Sequence, residues 1–417
     1  MSDLLWPGDH RAGNCCSDAA ILAAMIEVER VWLGVLAEFG MFDADALDSL
    51  ELSADLQTVA AAAEQTGNPV PALVEALREQ CASSHPVAAH WLHRGLTSQD
   101  VLDTALVLCL RDAVGRVVTA LRAQAEHLAE LAGTYRDAVA PGRTLGRPAV
   151  PTTFGLTVAS WLAGVLDAID DVDLSINQLP VQLGGAAGTL AGVTELLGDP
   201  GDAIAASDRL ASALRLAGRP PWHTHRRPLT RVADALVACS DVWGHIANDV
   251  LLRSRPEFGE LSEGSVAGRG GSSTMPGKEN PVLAVLIRRA AMTAPGLAAQ
   301  VHLAAASTVD DRPDGAWHTE WAPLRTLARR AVVAAEQTTE LVVGLVVHPD
   351  RLRANARAVA DTLLAEREAL HAVRGLSEEK ATVDDYLGAA GLLIDAALAR
   401  AAQYIGGTVP HGHHHDH

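Results

Sequence analysis

The sequence predicts an all-α fold organised around a long central helical bundle, and three observations predict it. The chain has 417 residues and is 48 % hydrophobic but only 4 % aromatic, so its core must be packed from Ala, Leu and Val. Ala- and Leu-rich sequence with few β-branched runs favours helix over strand. Three long segments, at 101–131, 152–179 and 229–255, repeat apolar residues at helical spacing, and two more, at 282–306 and 320–346, follow a glycine-dense stretch. Within the first, ALVLCLRDAVGRVVTAL is apolar on more than one face, which calls for more than one neighbour and points to burial between subunits.

The elements follow in order. Ser17 and Asp18 form a cap signal for a helix over 17–40. Shorter helices run to about residue 92, broken at Gly67-Asn68-Pro69 and Ser84-His85-Pro86, and 1–96 reads as an N-terminal helical domain. After the turn at Gly95 the first long helix begins, with Thr97, Ser98 and Asp100 where side chains cap and free N–H groups attract anions. A Gly/Pro-rich connector, Pro141 to Pro151, leads to the second long helix near Thr152 or Thr153. The small residues of 181–192 suit close packing of helix ends, and a proline-bounded loop then gathers Trp222, His223, His225, Arg226 and Arg227. The central bundle spans 97–347 and a smaller helical C-terminal domain spans 348–417. Its histidine-rich end, 411–417, reads as a frayed or expression-derived tail outside the fold.

A net charge of −18 argues against nucleic acid and anionic membrane as partners, although an anionic small substrate suits a site that gathers its own cations. Five cysteines without a C-x-x-C pair point to a reduced, cytoplasmic setting. No stretch reads as a signal peptide or a charge-free membrane span. With neither a nucleotide-binding glycine motif nor metal-ligand spacing, no cofactor and no metal are expected.

The chemistry concentrates in residues 264–282, GSVAGRGGSSTMPGKENPV. Glycines this dense keep the backbone out of helix and allow close approach to a ligand. Pro281 suits the first turn of the helix that follows. Hydroxyls, backbone N–H groups, one ammonium and one amide converge there, a set able to move a proton from carbon and hold the resulting charge. Lys278 is one of only two lysines, the other being Lys380, in a chain that otherwise uses arginine.

Residues 271–281 match every fixed position of GSSxMPxKxNP, and the chain thereby resembles the aspartase/fumarase superfamily. HRGLTSQDVLDTAL, 93–106, resembles that family's first conserved region. LGGAAGT, PWHT and the segment from Arg312 to Trp321 are similar to its 3-carboxy-cis,cis-muconate cycloisomerase branch. GRTLGRPAVPTTFG, 142–155, resembles the second region, GRTHxQxAxPTTFG, except that Leu145 replaces the histidine and Gly146-Arg147-Pro148 the glutamine segment. The resemblance implies a three-domain fold and a homotetramer with a twenty-helix core and composite active sites. It also implies a small di- or tricarboxylate substrate. In it Ser272 is the base, Lys278 and Asn280 hold the developing charge, and Ser273 and Met275 lie on the same loop. His93, Thr97, Ser98, Gln99, Arg143, Thr144, Arg147, His223, Arg226 and Arg312 complete the implied substrate-binding set.

The shared chemistry implied is elimination or its reverse beside a carboxylate, through an aci-carboxylate dianion. Leu145 bears on the leaving group. An amine or hydroxide needs a proton donor to depart, whereas a carboxylate or nitrite leaves as a stable anion. That argues against fumarase, argininosuccinate lyase and adenylosuccinate lyase activity and favours lactonisation of 3-carboxy-cis,cis-muconate. The alternative is a lyase that releases nitrite from nitrosuccinate to give fumarate. A silent binding scaffold is disfavoured by the intact Ser272, Lys278 and Asn280.

Overall fold

The structure is a computed structural model and describes residues 3–264, 266, 268–271, 274–275, 278–376 and 381–405. Its helices are α1 (Asp18–Glu38), α2 (Leu56–Thr66), α3 (Val70–Cys81), α4 (Pro86–Trp91), α5 (Ser98–Thr134), α6 (Phe154–Ile176) and α7 (Ala191–Leu197). They continue as α8 (Pro200–Leu214), α9 (Arg227–Arg253), α10 (Val282–Ala306), α11 (Gly315–Val343), α12 (Pro349–Ala358), α13 (Ala360–Arg374) and α14 (Ala390–Ala401). Four short strands accompany them: β1 (Val139–Thr144) pairs antiparallel with β2 (Arg147–Thr153), and β3 (Leu261–Ser262) with β4 (Val346–Val347). The five long helices lie within a few residues of the expected segments. α5 alone has 37 residues and is about 55 Å long.

Local chemistry sets the boundaries. The Ser17 hydroxyl accepts the Ala20 N–H at 3.1 Å to start α1, and Asp55 accepts Thr58 N at 2.8 Å to start α2. Gly67, at φ 74°, ends α2, while Pro69 and Pro86 open α3 and α4. Glu263 starts α10 by accepting Leu283 N at 3.1 Å and Ala284 N at 2.7 Å.

The chain packs as two compact units. The first comprises 1–116, 172–237 and 294–333. Its core joins Trp32, Leu33 and Leu36 of α1, Leu73 and Leu77 of α3, Leu102 and Leu106 of α5, and Leu210 of α8. Every residue from Gln99 to Leu110 is buried. The all-round apolar character at the start of the ALVLCL stretch is therefore met by neighbours in its own chain, and does not by itself require a second subunit.

The second unit comprises 117–171, 238–293 and 334–417. Trp161 donates to Asp249 at 2.8 Å, Trp243 to Gln124 at 2.9 Å, and Gln124 to the Ala335 carbonyl at 2.9 Å, so the two indoles and the amide between the helices are all paired. The expected Gly/Pro-rich connector is instead the β1–β2 hairpin. Thr144 pairs with Arg147 across a two-residue turn in which Leu145 and Gly146 have φ 50° and 77°. Two positive φ values in sequence define the tight hairpin turn whose twist suits antiparallel strands. Pro141, Pro148 and Pro151 masked the hairpin, because proline cannot donate to a ladder; a ribbon with one neighbour per strand tolerates it.

α10 is long and apolar enough to cross a bilayer by length and composition alone, and 33 % of its most apolar window is buried. Its inner stripe, including Leu283, Ile287, Ala294 and Val301, is buried, while Val285, Met292 and Leu303 on the other side are 51, 73 and 67 % exposed.

The start of α6 sits unusually close to the end of α5. A Cβ on Gly155 would lie 2.7 Å from the Ala132 carbonyl oxygen and 2.8 Å from that of Tyr135. Both obstacles are backbone, so neither can swing aside. Gly155→Ala is expected to destabilise the protein by about 2–3 kcal/mol, read as a lower denaturant midpoint at unchanged slope.

Candidate active site

In the first unit the site is built on the N-terminus of α5 and on two buried carboxylates one turn apart. Asp100 is fully buried, and its Oδ1 accepts Gly184 N at 2.9 Å and His223 Nε2 at 3.1 Å. Its Oδ2 accepts Thr97 N at 2.9 Å, the Thr97 hydroxyl at 3.2 Å and Gly185 N at 3.1 Å. One side chain thus ties the turn before α5 to the LGGAAGT segment and to the PWHT loop. Gly184 must be glycine, since a Cβ there would lie 2.6 Å from the His223 ring.

Asp103 lies on the same face of α5 and receives Arg226 through two bonds, 2.7 and 3.0 Å, and Trp317 Nε1 at 2.9 Å. Arg226 also bonds Glu320 and stacks 4.7 Å from the Trp222 ring centroid. It is 2 % exposed. The substrate-binding role expected of Arg226 therefore meets a physical obstacle: its guanidinium is already shared between two buried carboxylates. His223, 3 % exposed and bonded to Asp100, is likewise a residue that places others. Gln99 is fully buried and donates to Asp103 at 3.1 Å and to the His223 carbonyl at 3.0 Å, while Arg312 Nε approaches its Oε1 at 3.4 Å. Among the described residues, the terminal guanidinium nitrogens of Arg312 have no hydrogen-bond partner.

His93 sits in the turn between α4 and α5 at φ 63°, a conformation that non-glycine residues seldom adopt. The fully buried Glu29 of α1 holds it there, accepting His93 N at 3.0 Å and pairing with Nδ1 at 2.6 Å. Trp32 supports the same turn by donating to the Arg94 carbonyl at 2.7 Å. Thr97 and Ser98 are partly buried beside it, at the helix N-terminus.

The second unit holds the remaining residues. Arg143 grips the fully buried Glu260 through bonds of 3.0 and 2.5 Å, and Arg253 and Asn355 reach the same carboxylate at 3.1 and 2.9 Å. Burial pushes the Glu260 carboxyl up, but the bonds from Arg143 and Asn355 and the charges of Arg143 and Arg253 outweigh it and hold the group below its ordinary value. Arg143, like Arg226, is already paired. Thr144, Leu145 and Arg147 form the exposed tip of the hairpin, with Leu145 103 % exposed.

On the signature loop, Asn280 donates its backbone N–H at 2.9 Å and its side-chain amide at 2.8 Å to one acceptor, the Gly270 carbonyl. Arg269 pairs with Glu340. Asn280, expected to hold substrate charge, thus clasps the ends of the loop in this structure. Lys278 and Met275 are exposed, and the Lys278 ammonium has no partner among the described residues. Ser272 and Ser273 lie outside the described residues.

A family model described as lyase matches residues 23–296. The chain belongs to the aspartase/fumarase superfamily. Within that superfamily it is 43 % identical over 363 residues to a nitrosuccinate lyase of Streptomyces davaonensis, covering 85 % of this chain and 76 % of the relative. It is 37 % identical over 358 residues to a 3-carboxy-cis,cis-muconate cycloisomerase of Bradyrhizobium diazoefficiens, covering 84 and 78 %. In structure it is similar to the 3-carboxy-cis,cis-muconate lactonizing enzyme of Pseudomonas putida, with a TM-score of 0.82 and 27 % identity over 92 % of this chain and 94 % of that one. This superfamily member is an enzyme of the lyase and cycloisomerase type.

The acidic partners escaped the sequence reading. Asp103 and Glu320 stand inside recognised motifs, and the i, i+4 spacing of Gln99 and Asp103 offered a signal for the first of them. Glu29 and Glu260 offered none, because Glu29 meets His93, and Glu260 meets Arg143 and Asn355, across long stretches of chain.

Glu320 gives the site a pH signature. Burial pushes its carboxyl up to about 7, against the pull of Arg226. A carboxyl whose folded value exceeds its unfolded one stabilises fully below the unfolded value and loses that contribution as pH rises through the folded one. Wild-type protein should therefore lose about 1–3 kcal/mol relative to Glu320→Gln between about pH 5 and pH 8. Denaturation midpoints of both proteins across that range check it; parallel profiles would contradict the assignment.

Proposed function

We propose that this enzyme transfers a proton at the carbon α to a carboxylate, with Ser272 as the base or, in the reverse sense, the proton donor. The leaving or adding group is an anion. The supporting observation is Leu145: the hairpin tip, where the family's second region has histidine, presents a fully exposed alkyl group that can donate no proton. The substrate is a small di- or tricarboxylate. Its charge is met by Lys278 and Arg312, two of the cations left uncommitted among the expected binding residues, with Thr97 and Ser98 at the α5 N-terminus. The aci-carboxylate dianion is costly in water, so donors fixed in advance supply much of the rate.

The reaction is 3-carboxy-cis,cis-muconate cycloisomerase-like, in which a substrate carboxylate adds to the double bond as carbon is protonated. Elimination of nitrite from nitrosuccinate is the second reading, favoured by the 43 % identical nitrosuccinate lyase and by Arg147, a cation at the exposed tip. Incubation with each compound separates them: loss of diene absorbance reports the first, fumarate formation the second. Ser272→Ala is expected to lower turnover of the accepted substrate by about 10²–10⁴-fold. Full activity in that variant would remove Ser272 from its role, and turnover of neither compound would favour a silent scaffold.

The proposal includes a three-segment organisation (1–96, 97–347, 348–417), a reduced cytoplasmic setting and a homotetramer whose active sites combine residues from different protomers. The exposed apolar row Val285, Met292 and Leu303 on α10 supports assembly, since a row of that kind seeks cover. Met292→Glu should shift the mass measured by light scattering from four chains toward fewer; an unaltered mass would place the subunit contact elsewhere.

A further inference from the structure

We propose that Cys15 and Cys16 form a thiol pair that a hydroperoxide oxidises reversibly to a disulfide, a modification site that the elimination chemistry does not use. The two residues precede α1 in the first unit and line a cavity of about 720 Å³ together with Cys109, Arg111 and Arg116. Their sulfur atoms are 3.9 Å apart, and the Cys16 thiol faces the Cys109 carbonyl at 3.6 Å. Cys15 is half-buried, whereas Cys16, Cys81, Cys109 and Cys239 are buried. Cys16 has φ 49°, an unusual backbone at the point where two adjacent side chains turn toward each other.

Two guanidinium groups hold this segment. Arg329 donates to the carbonyls of Cys15 at 2.6 Å and Gly13 at 3.1 Å, and Arg116 to those of Ala12 at 2.8 Å and Arg11 at 2.7 Å. The bond with Cys16, and after it the charges of Arg116 and Arg329, hold the Cys15 thiol below its ordinary value. The other four go the opposite way: the bond with Cys15 and burial raise Cys16, burial raises Cys81 and Cys239, and burial pushes Cys109 up to about 12. Cys15 is the attacking sulfur and Cys16 the resolving one.

The chemistry balances with the hydroperoxide as oxidant. The Cys15 thiolate attacks the peroxide, an S–O bond forms as O–O breaks, and the departing oxygen takes a proton to leave as water or an alcohol. Cys16 then attacks the sulfenic sulfur of Cys15; S–S forms, S–O breaks, and hydroxide leaves with the Cys16 proton as water. Adjacent Cα atoms are only about 3.8 Å apart, closer than the usual disulfide span, so the product is strained and readily reduced.

Tryptic cleavage isolates the pair in the peptide Ala12–Arg30, which contains no other cysteine. Brief hydrogen peroxide treatment of the intact protein should cost this peptide two hydrogens and its reaction with iodoacetamide, roughly tenfold sooner than the peptides of Cys81 and Cys239 are blocked. Dithiothreitol should restore it. In Cys16→Ala a dimedone label should appear on Cys15, and in Cys15→Ala none on Cys16. Equal rates at Cys81 and Cys239, oxygen uptake without loss of two hydrogens, or a dimedone label on Cys16 in Cys15→Ala would each overturn the assignment.

Discussion

The first unit depends on a carboxylate to which, among the described residues, no arginine or lysine is bound. Asp100 is fully buried, and its bonds come from backbone N–H groups of Thr97, Gly184 and Gly185, the Thr97 hydroxyl, Gln182 and His223. Removing a carboxylate from water costs several kcal/mol, and an arrangement of this kind is stable only when nearly all the lone pairs are occupied. Each donor is thereby fixed relative to α5. Small residues at 184 and 185 follow from the same constraint, because the backbone must come within hydrogen-bonding distance of a helix side chain. One turn later Asp103 repeats the device with Arg226, and the helix becomes the straight edge against which the PWHT loop and the segment after Arg312 are set.

This arrangement divides the cations into two classes. Arg226 and Arg143 are held by buried carboxylates, and breaking such a pair leaves an uncompensated charge, a loss of about 3–5 kcal/mol. A substrate carboxylate would have to compete with that. Lys278 and Arg312 face no such competition. In a chain with net charge −18, a small anion is therefore drawn to few places, and the long-range field opposes it everywhere else.

The helices were legible because their signals are local: Ser17, Pro69 and Pro86 start helices within a residue or so of where their chemistry allows. The β1–β2 hairpin was not, since its three prolines argue for a connector unless the ribbon is known to have one neighbour per strand. Of the candidate site, Thr97, Gln99, His223, Arg226 and Arg312 were named from three separate motifs, and the structure places them around the start of α5. Their division of labour was not legible. Whether an arginine holds a substrate or a buried aspartate depends on contacts such as Asp103 to Arg226, which bridge more than a hundred residues. Glu29 behind His93 is the same case.

The clasp on the signature loop follows from the same accounting of polar groups. Ten residues separate Gly270 from Asn280, and bringing the ends of a loop together costs entropy that grows slowly with its length. Two donors from one residue to one carbonyl meet that cost at a single point, and they do so with an asparagine because its side-chain amide can parallel its own backbone N–H. Gly270 must be glycine there: its φ is 77°, and a Cβ would lie 2.7 Å from the Asn280 carbonyl oxygen. Lys278, two residues from the clasp, is thus attached to a fixed point even though its ammonium is exposed. Loss of the clasp would release the backbone next to the one lysine among the expected site residues, so Asn280 fixes the place from which Lys278 extends.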